Sequence, residues 1–496
     1  MKRSTFAATA LALLTVACGS TPTPTTVTGP IDRSGLPQPG ARTDWAPPAV
    51  QTWTMANGLD VWLVEQKQAP LIALELVLPQ GAATDPPAKA GLAALTVDLL
   101  DEGAGDRDAL TLSEAFQRIA TDYSGGAGTA GITFSLSMLA DQLDPSLALL
   151  SDILLRPRMP EAEFNRRKAQ RLAHALASEA QPRAASSVLV RRALFGDGFA
   201  GRPSGGVRST LDSITYADVK ARYSALIKPQ GGLVIAVGAV DRATLEPALN
   251  KALSTWSGTP SLSNAPMSAK AGQRAIYFVD FPGATQSSIS VGRRIPGTKA
   301  TDYFAAKVFN WALGGAFTSR LNLNLREDKG YTYGARAHLL RWVEGGAYLL
   351  GASVKADTTR KSIDEIIKEL TAMGGPKPLT EDERGQAIGG MLLGFPGRFE
   401  RMSSVAGQLS TVRLDGFDPV WFRSWPKRLS EVTLAQARAS ALALIDPANY
   451  LIVIAGDYAK VAPTLDGLEL PILRFDAQGN PLPETPADAK PAAKAP

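Results

Sequence analysis

Residues 214–240, ITYADVKARYSALIKPQGGLVIAVGAV, and residues 432–458, VTLAQARASALALIDPANYLIVIAGDY, carry one pattern twice. Each has a helical periodicity, then a proline turn, then an apolar run of strand length. Thr215 and Thr433, Pro229 and Pro447, and Gly238 and Gly456 are each 218 residues apart. The same interval separates PEAEFNRRK, from Pro160, and PLTEDERGQ, from Pro378, each at the head of a long helical pattern. A register kept over that span is not chance similarity between helix–strand units. A period this long marks a duplicated domain rather than a solenoid.

Working outward, the first half has strand patterns at residues 59–65, 71–78 and 132–138, introduced by the turn pair Asn57-Gly58. Helical patterns fall at residues 88–102, 110–121, 143–154 and 160–181. In the second half, residues 276–281, 287–292, 333–342 and 346–354 read as strands, and residues 310–326 and 358–373 as helices. Grouped helices between strands predict an α+β layer fold. Residues 258–272, GTPSLSNAPMSAKAG, have the composition of a linker. The expected organisation is therefore a domain at 47–257, a linker at 258–272 and a homologous domain at 273–474.

The ends differ from this body. Lys2 and Arg3 precede an apolar run at residues 6–16, too short to cross a bilayer, and Ala17-Cys18 closes it. Residues 1–18 thus resemble a bacterial lipoprotein signal, with Cys18 as the lipidated residue. Thr15 stands where such signals usually have leucine. Gly19 in place of aspartate lacks the inner-membrane retention signal, which points to a periplasm-facing, outer-membrane anchor. Residues 19–46 read as a flexible Thr/Pro/Gly tether and residues 475–496 as a disordered Pro/Ala-rich tail. Cys18 is the only cysteine, so neither an intramolecular disulfide nor a thiolate zinc site can form. The formal net charge of +5 falls to about +3 once Lys2 and Arg3 leave with the leader. The basic clusters sit in helical patterns without aromatic interleaving, which argues against nucleic acid. No GxSxG elbow occurs, and SGGAGTAG at residues 124–131 lacks the Lys-Ser/Thr of a phosphate loop.

The chemistry is concentrated in residues 314–334, GGAFTSRLNLNLREDKGYTYG, where Arg326 stands seven residues before Tyr333. This run resembles the C-terminal half of the pitrilysin/insulinase metallopeptidases, and the resemblance extends over about residues 52–457. It implies two homologous domains, each a mostly antiparallel sheet packed with helices, forming half of a clamshell. It also implies a zinc bound by an HxxEH helix soon after a segment like GAATDPPAKAGLA, residues 81–93 here. Residues 94–98 read ALTVD, so the family's two histidines and glutamate fall on Ala94, Asp98 and Val97. The third ligand, a glutamate on a later helix, falls within residues 171–177, RLAHALA, which contain no carboxylate; His174 lies close to its place. His174 and His338 are the only histidines. The chain is therefore expected to bind no cofactor, and the carboxylates Asp98, Asp101 and Glu102 to face solvent.

Arg326 and Tyr333, by contrast, match the family's paired arginine and tyrosine. A phenol and a guanidinium aimed at a carbonyl oxygen stabilise the charge that grows there during attack. If Tyr333 opens a strand, Ala335 and Ala337 continue its face and leave room for an extended peptide. The resemblance thus implies the zinc-less subunit of a heteromeric peptidase. The zinc would sit in a homologous partner bearing HxxEH, and peptides would be the substrate. The rival reading is a non-enzymatic structural or peptide-binding scaffold of an envelope complex.

Overall fold

A computed structural model describes Gly35 and residues 45–268 and 272–483. The expectations for Cys18, most of the tether, and the end of the tail lie outside the described residues. The fold is that of the compact unit that begins at Ala46.

In the first half the strands are β1 (Gln51–Thr54), β2 (Asp60–Glu65), β3 (Leu71–Leu78), a short ribbon of β4 (Gly103–Ala104) and β5 (Arg107–Asp108), β6 (Asp122–Ala127), β7 (Ile132–Leu139) and β8 (Leu233–Gly238). Six of them form a sheet in the order β1-β2-β8-β3-β7-β6. In the second half β9 (Ile276–Asp280), β10 (Gln286–Ile295), β11 (Thr332–Arg341), β12 (Gly346–Lys355), β13 (Leu451–Gly456) and β14 (Ile472–Phe475) form a sheet in the order β14-β9-β13-β10-β12-β11. The two orders coincide: β9 answers β2, β13 answers β8, and β11 answers β6. Both sheets are mixed and mostly antiparallel. The equivalent pairs β2–β8 and β9–β13 run parallel. The outer strands break the symmetry, since β1 enters antiparallel to β2 while β14 leaves parallel to β9.

Local sequence explains the repeated unit. Helices Tyr216–Leu226 and Leu434–Leu444 start at Thr215 and Thr433, each in a reciprocal capping box with the residue three places on. Every residue of β8 (LVIAVG) and β13 (LIVIAG) is buried. Central strands covered on both faces require such unbroken apolar runs.

The halves are joined by an exchange of helices. Helix Pro182–Phe195 precedes β8 in the chain, yet Ala185, Leu189, Val190 and Ala193 pack into a core with Tyr277, Val279, Leu349 and Val453 of the second sheet. Ser186 Oγ lies 2.8 Å from Ser290 Oγ of β10. Reciprocally, helix Met402–Leu414 from the second half packs on β3 and β8. There Arg413 donates to Gly231 O at 2.9 Å and pairs with Asp60 at 3.1 Å. Burial raises the pKa of Glu75 on β3, while a hydrogen bond from Ser410 of this helix opposes the shift. A boundary at residues 258–272 separates the strands of the two sheets but not their cores. Residues 258–268 contain no helix or strand and are strapped to the first half. Ala265 N donates to Ala83 O at 2.8 Å, and Phe199 N donates to Pro266 O at 3.0 Å. A Cβ at Gly198 would lie 2.4 Å from Met267 O, so glycine permits that approach.

One expected element is broken. In place of a continuous helix over residues 310–326, helix Tyr303–Asn310 widens into a π-turn at Trp311–Gly315, and Arg320–Asn322 widens into a second at Leu323–Asp328. The intervening residues 316–319 leave the helix. Among the described residues, no helix is long and apolar enough to cross a membrane.

The helix exchange predicts one cooperative unit. Leu189 is fully buried, so Leu189→Ala should cost about 2–5 kcal/mol. Calorimetry should show a single unfolding transition moved to lower temperature. Two transitions, with only one of them shifted, would mean that the halves fold independently.

Candidate functional site

Helix Leu92–Leu100, where the metal motif is expected, is anchored at its start. Gly91 adopts φ +98°, and the Asp85 carboxylate accepts the N–H groups of Gly91 and Ala93, both at 3.0 Å. Asp85 is in turn held by Arg222 at 2.6 Å, with both side chains buried. The helix is thus built and oriented without a metal.

Its side chains do not fit zinc. Ala94 and Val97 are buried and carry no donor atom. Asp98 is committed to Arg171 on helix Glu161–Glu179: Nη2 donates to Oδ1 at 2.8 Å, and Nε donates to Oδ2. A cation placed here would meet a guanidinium where a ligand is needed. Glu102, only 3% exposed, receives Arg166 at 2.6 Å and also Arg167. Burial pushes the neighbouring Asp101 up to about 6, with Arg167 opposing the shift. The expectation that these carboxylates face solvent is therefore corrected: Glu102 is buried, and Asp98 and Asp101 are half-buried. Arg166, Arg167 and Arg171, one and four residues apart on helix Glu161–Glu179, cover Asp98 and Glu102. Among the described residues, no three His, Cys, Asp or Glu side chains converge on a metal position.

Arg171 and Asp98 line a hollow of about 590 Å³ together with Gln170, Ser187 and the exposed His174. The edge strand β6 lies beside this helix. A Cβ at Gly125 would come within 3.1 Å of Val97 Cγ1, so glycine lets the strand lie close.

The second half presents Arg326 and Tyr333. Arg326 lies in the π-turn Leu323–Asp328, with its guanidinium 4.6 Å from the Phe317 ring centroid and Nε 3.1 Å from Glu327. Tyr333 is 91% exposed. It sits in a bulge: Thr332 pairs with Val354, but Ala335 pairs with Ala352, which leaves one extra residue between them on β11. Thr332 Oγ1 donates to Ser353 O at 2.7 Å and accepts Gly334 N–H at 3.1 Å, fixing the bulge. No hydrogen bond or ion pair joins Arg326 to Tyr333 among the described residues.

The bulge overturns one expectation. Ala335 and Ala337 do not continue the face of Tyr333; they are 2% and 3% exposed. A Cβ at Gly314 would lie 2.6 Å from Ala337 Cβ. Their small size admits the π-turned helix behind the strand, not a peptide in front of it. His338 is exposed on β11, in the other half from His174.

Two residues of this arrangement escaped the sequence reading. Arg171 had no signal beyond being a cation on the expected ligand helix. Asn322 is buried and ties the two halves of the quoted run together. Its Nδ2 donates to Phe317 O at 2.7 Å, and its Oδ1 accepts Ala335 N–H at 3.1 Å. A buried asparagine between leucines inside a helical pattern was its only trace.

Comparison with known proteins agrees with this architecture. The family described as "Insulinase (Peptidase family M16)" matches residues 61–204, and "Peptidase M16 inactive domain" matches residues 213–388. An uncharacterized zinc protease of Streptomyces coelicolor is 24% identical over 314 residues, 62% of this chain and 68% of that protein. The non-peptidase homolog YmxG of Helicobacter pylori is 22% identical over 346 residues, 68% of this chain and 78% of that protein. The crystal structure of a peptidase M16 inactive domain from Pseudomonas fluorescens superposes with a TM-score of 0.77 at 23% identity, covering 82% of this chain and 98% of the other. The duplicated sheets and the two successive family matches lead to one conclusion: this chain belongs to the insulinase family, peptidase family M16.

Proposed function

We propose that this chain is the zinc-less subunit of a two-chain peptidase and works with a homologous chain that carries HxxEH. The observation that carries this reading is the contrast between the two motif positions. Where metal ligands would stand, Ala94 and Val97 are built into the core and Asp98 is neutralised by Arg171. Where the second half would meet substrate, a bulge holds Tyr333 out with 91% of its surface exposed. A phenol so placed adds almost nothing to the chain's own packing, so its use lies outside the chain. Arg326, half-exposed beside Phe317, supplies the matching cation. In this reading both side chains act on a peptide held against the partner's metal site, and the partner alone binds zinc. The relative described as a non-peptidase homolog is consistent with a chain that does not cleave peptides alone. The leader with Cys18 would tether the subunit on the periplasmic side of the outer membrane.

Kinetics on the reconstituted pair test this. Neither chain alone should cleave peptides, while the pair should. Tyr333→Phe should lower kcat by about 10²–10³, the usual cost of one oxyanion donor. Arg326→Ala should impair both KM and kcat, with subunit association unchanged in either variant. Full activity in both variants would leave the scaffold reading in its place.

Metal analysis offers a second check. The purified chain should hold no stoichiometric zinc. One tightly bound zinc per chain, kept after substitution of Asp98, would refute the assignment of residues 94–98.

Anchoring is tested separately, by fractionation. Cys18→Ser should release the protein from the membrane fraction; identical fractionation of both forms would remove lipidation as the anchor.

A further inference from the structure

Eight residues along β11 from Tyr333, on the order of 25 Å at the rise of an extended strand, Arg341 ends the strand in a hollow of about 220 Å³. The Arg341 side chain is only 5% exposed. Nη2 reaches Asp302 Oδ1 at a long 3.5 Å. Nε and Nη1 are buried with no hydrogen-bond partner. A buried charged group left in this state is costly, and native structures rarely tolerate it without a ligand, ion or water.

Other cations share the hollow. Lys307, from helix Tyr303–Asn310, lines it with its ammonium 4.9 Å from the Tyr303 ring centroid. Arg398 stands at the exposed rim, 5.7 Å from the Trp425 ring centroid. Asp415 also lines the space. Asp302, whose Oδ2 already accepts Ser440 Oγ at 2.7 Å, is the other carboxylate nearby. Three cations therefore face two carboxylates. Burial lowers Lys307 to about 8, with Arg398 and Arg341 adding to the shift; burial also raises Asp415 to about 6. Lys307 and Lys299 oppose the rise at Asp415, so only the lowering of Lys307 by Arg398 and Arg341 reports the crowding of cations here. Tyr303, Trp421 and Trp425 form aromatic walls. Low-dielectric walls strengthen any charge pairing made inside.

We propose that this hollow is a binding site for a compact oxyanion of phosphate type, with Arg341 and Lys307 as its inner ligands and Arg398 at its mouth. A tetrahedral oxyanion offers acceptors in several directions at once, as cations converging from three different elements require, and it fills the free donors of Arg341. A second hollow of about 690 Å³ shares Thr298, Tyr303, Phe417 and Trp421 with the first and adds Lys299 and Arg428. It offers space for the organic part of a phosphate ester. The site is independent of the peptidase reading, because its ligands include neither Arg326 nor Tyr333.

Titration calorimetry at fixed ionic strength, with inorganic phosphate and with phenyl phosphate, tests the proposal. Saturable one-site binding of at least one probe is expected. Tighter binding of phenyl phosphate identifies an ester as the ligand class, and tighter binding of inorganic phosphate identifies the free ion. Arg341→Gln and Lys307→Gln should each weaken binding about tenfold or more, the worth of one charged hydrogen bond. Arg398→Gln, at the exposed rim, provides a folded variant with a smaller expected loss should an inner variant fail to fold. Absence of saturable binding of both probes to the unmodified chain, or undiminished affinity in every folded variant, would overturn the proposal.

Discussion

The reciprocal packing of two helices is the constraint on which the rest of this structure depends. Helix Pro182–Phe195 covers the second sheet, and helix Met402–Leu414 covers part of the first. A sheet must bury its apolar face against another layer, and here part of that layer comes from the opposite half. Neither half can therefore complete its core alone. The strap of residues 258–268 along the first half holds the connection between the halves in place. The two edge strands are held within their own halves, β6 against β7 and helix Leu92–Leu100, and β11 against β12 and the π-turned segment before it.

Within that frame, the expected place of the metal motif is organised around charge pairs. Arg171 places a fixed cation beside Asp98, and Arg166 and Arg167 do the same for Glu102. Removing one member of such a pair would strand a partly buried charge. The arrangement is thus self-sufficient, with the positive charge supplied by side chains of the neighbouring helix. The helix that would carry ligands keeps its orientation through Asp85 and Arg222.

The segment that carries Arg326 and Tyr333 is shaped by departures from regular structure. Two π-turns and one bulge lie within residues 311–335. Each departure changes where side chains point. The bulge turns Tyr333 out of the alternation that buries Ala335 and Ala337, and Asn322 bridges the bulge to the loop at Phe317. π-turns and bulges gather at functional positions because they re-aim side chains at a cost that regular elements avoid.

The sequence by itself determined the duplication, the order of most strands and helices, the repeated capped helix before a buried strand, and the loss of donors at Ala94 and Val97. These are local properties: periodicity, capping chemistry and the presence or absence of a ligand atom act within a few residues and can be read along the chain. Tertiary structure decided the rest. Which sheet a helix covers depends on shape and burial between segments far apart in the chain, 104 residues for Ser186 and Ser290 and 182 for Arg413 and Gly231, and one apolar stripe looks like another. The pairing of Arg171 with Asp98, 73 residues away, carries no spacing rule that a single sequence displays. The breaks in the helical pattern at residues 310–326 and the bulge at Tyr333 go with contacts between separate segments, Gly314 lying close against Ala337 and Asn322 accepting the Ala335 N–H. The unsatisfied donors of Arg341 became visible only when burial, a property of the whole fold, was known.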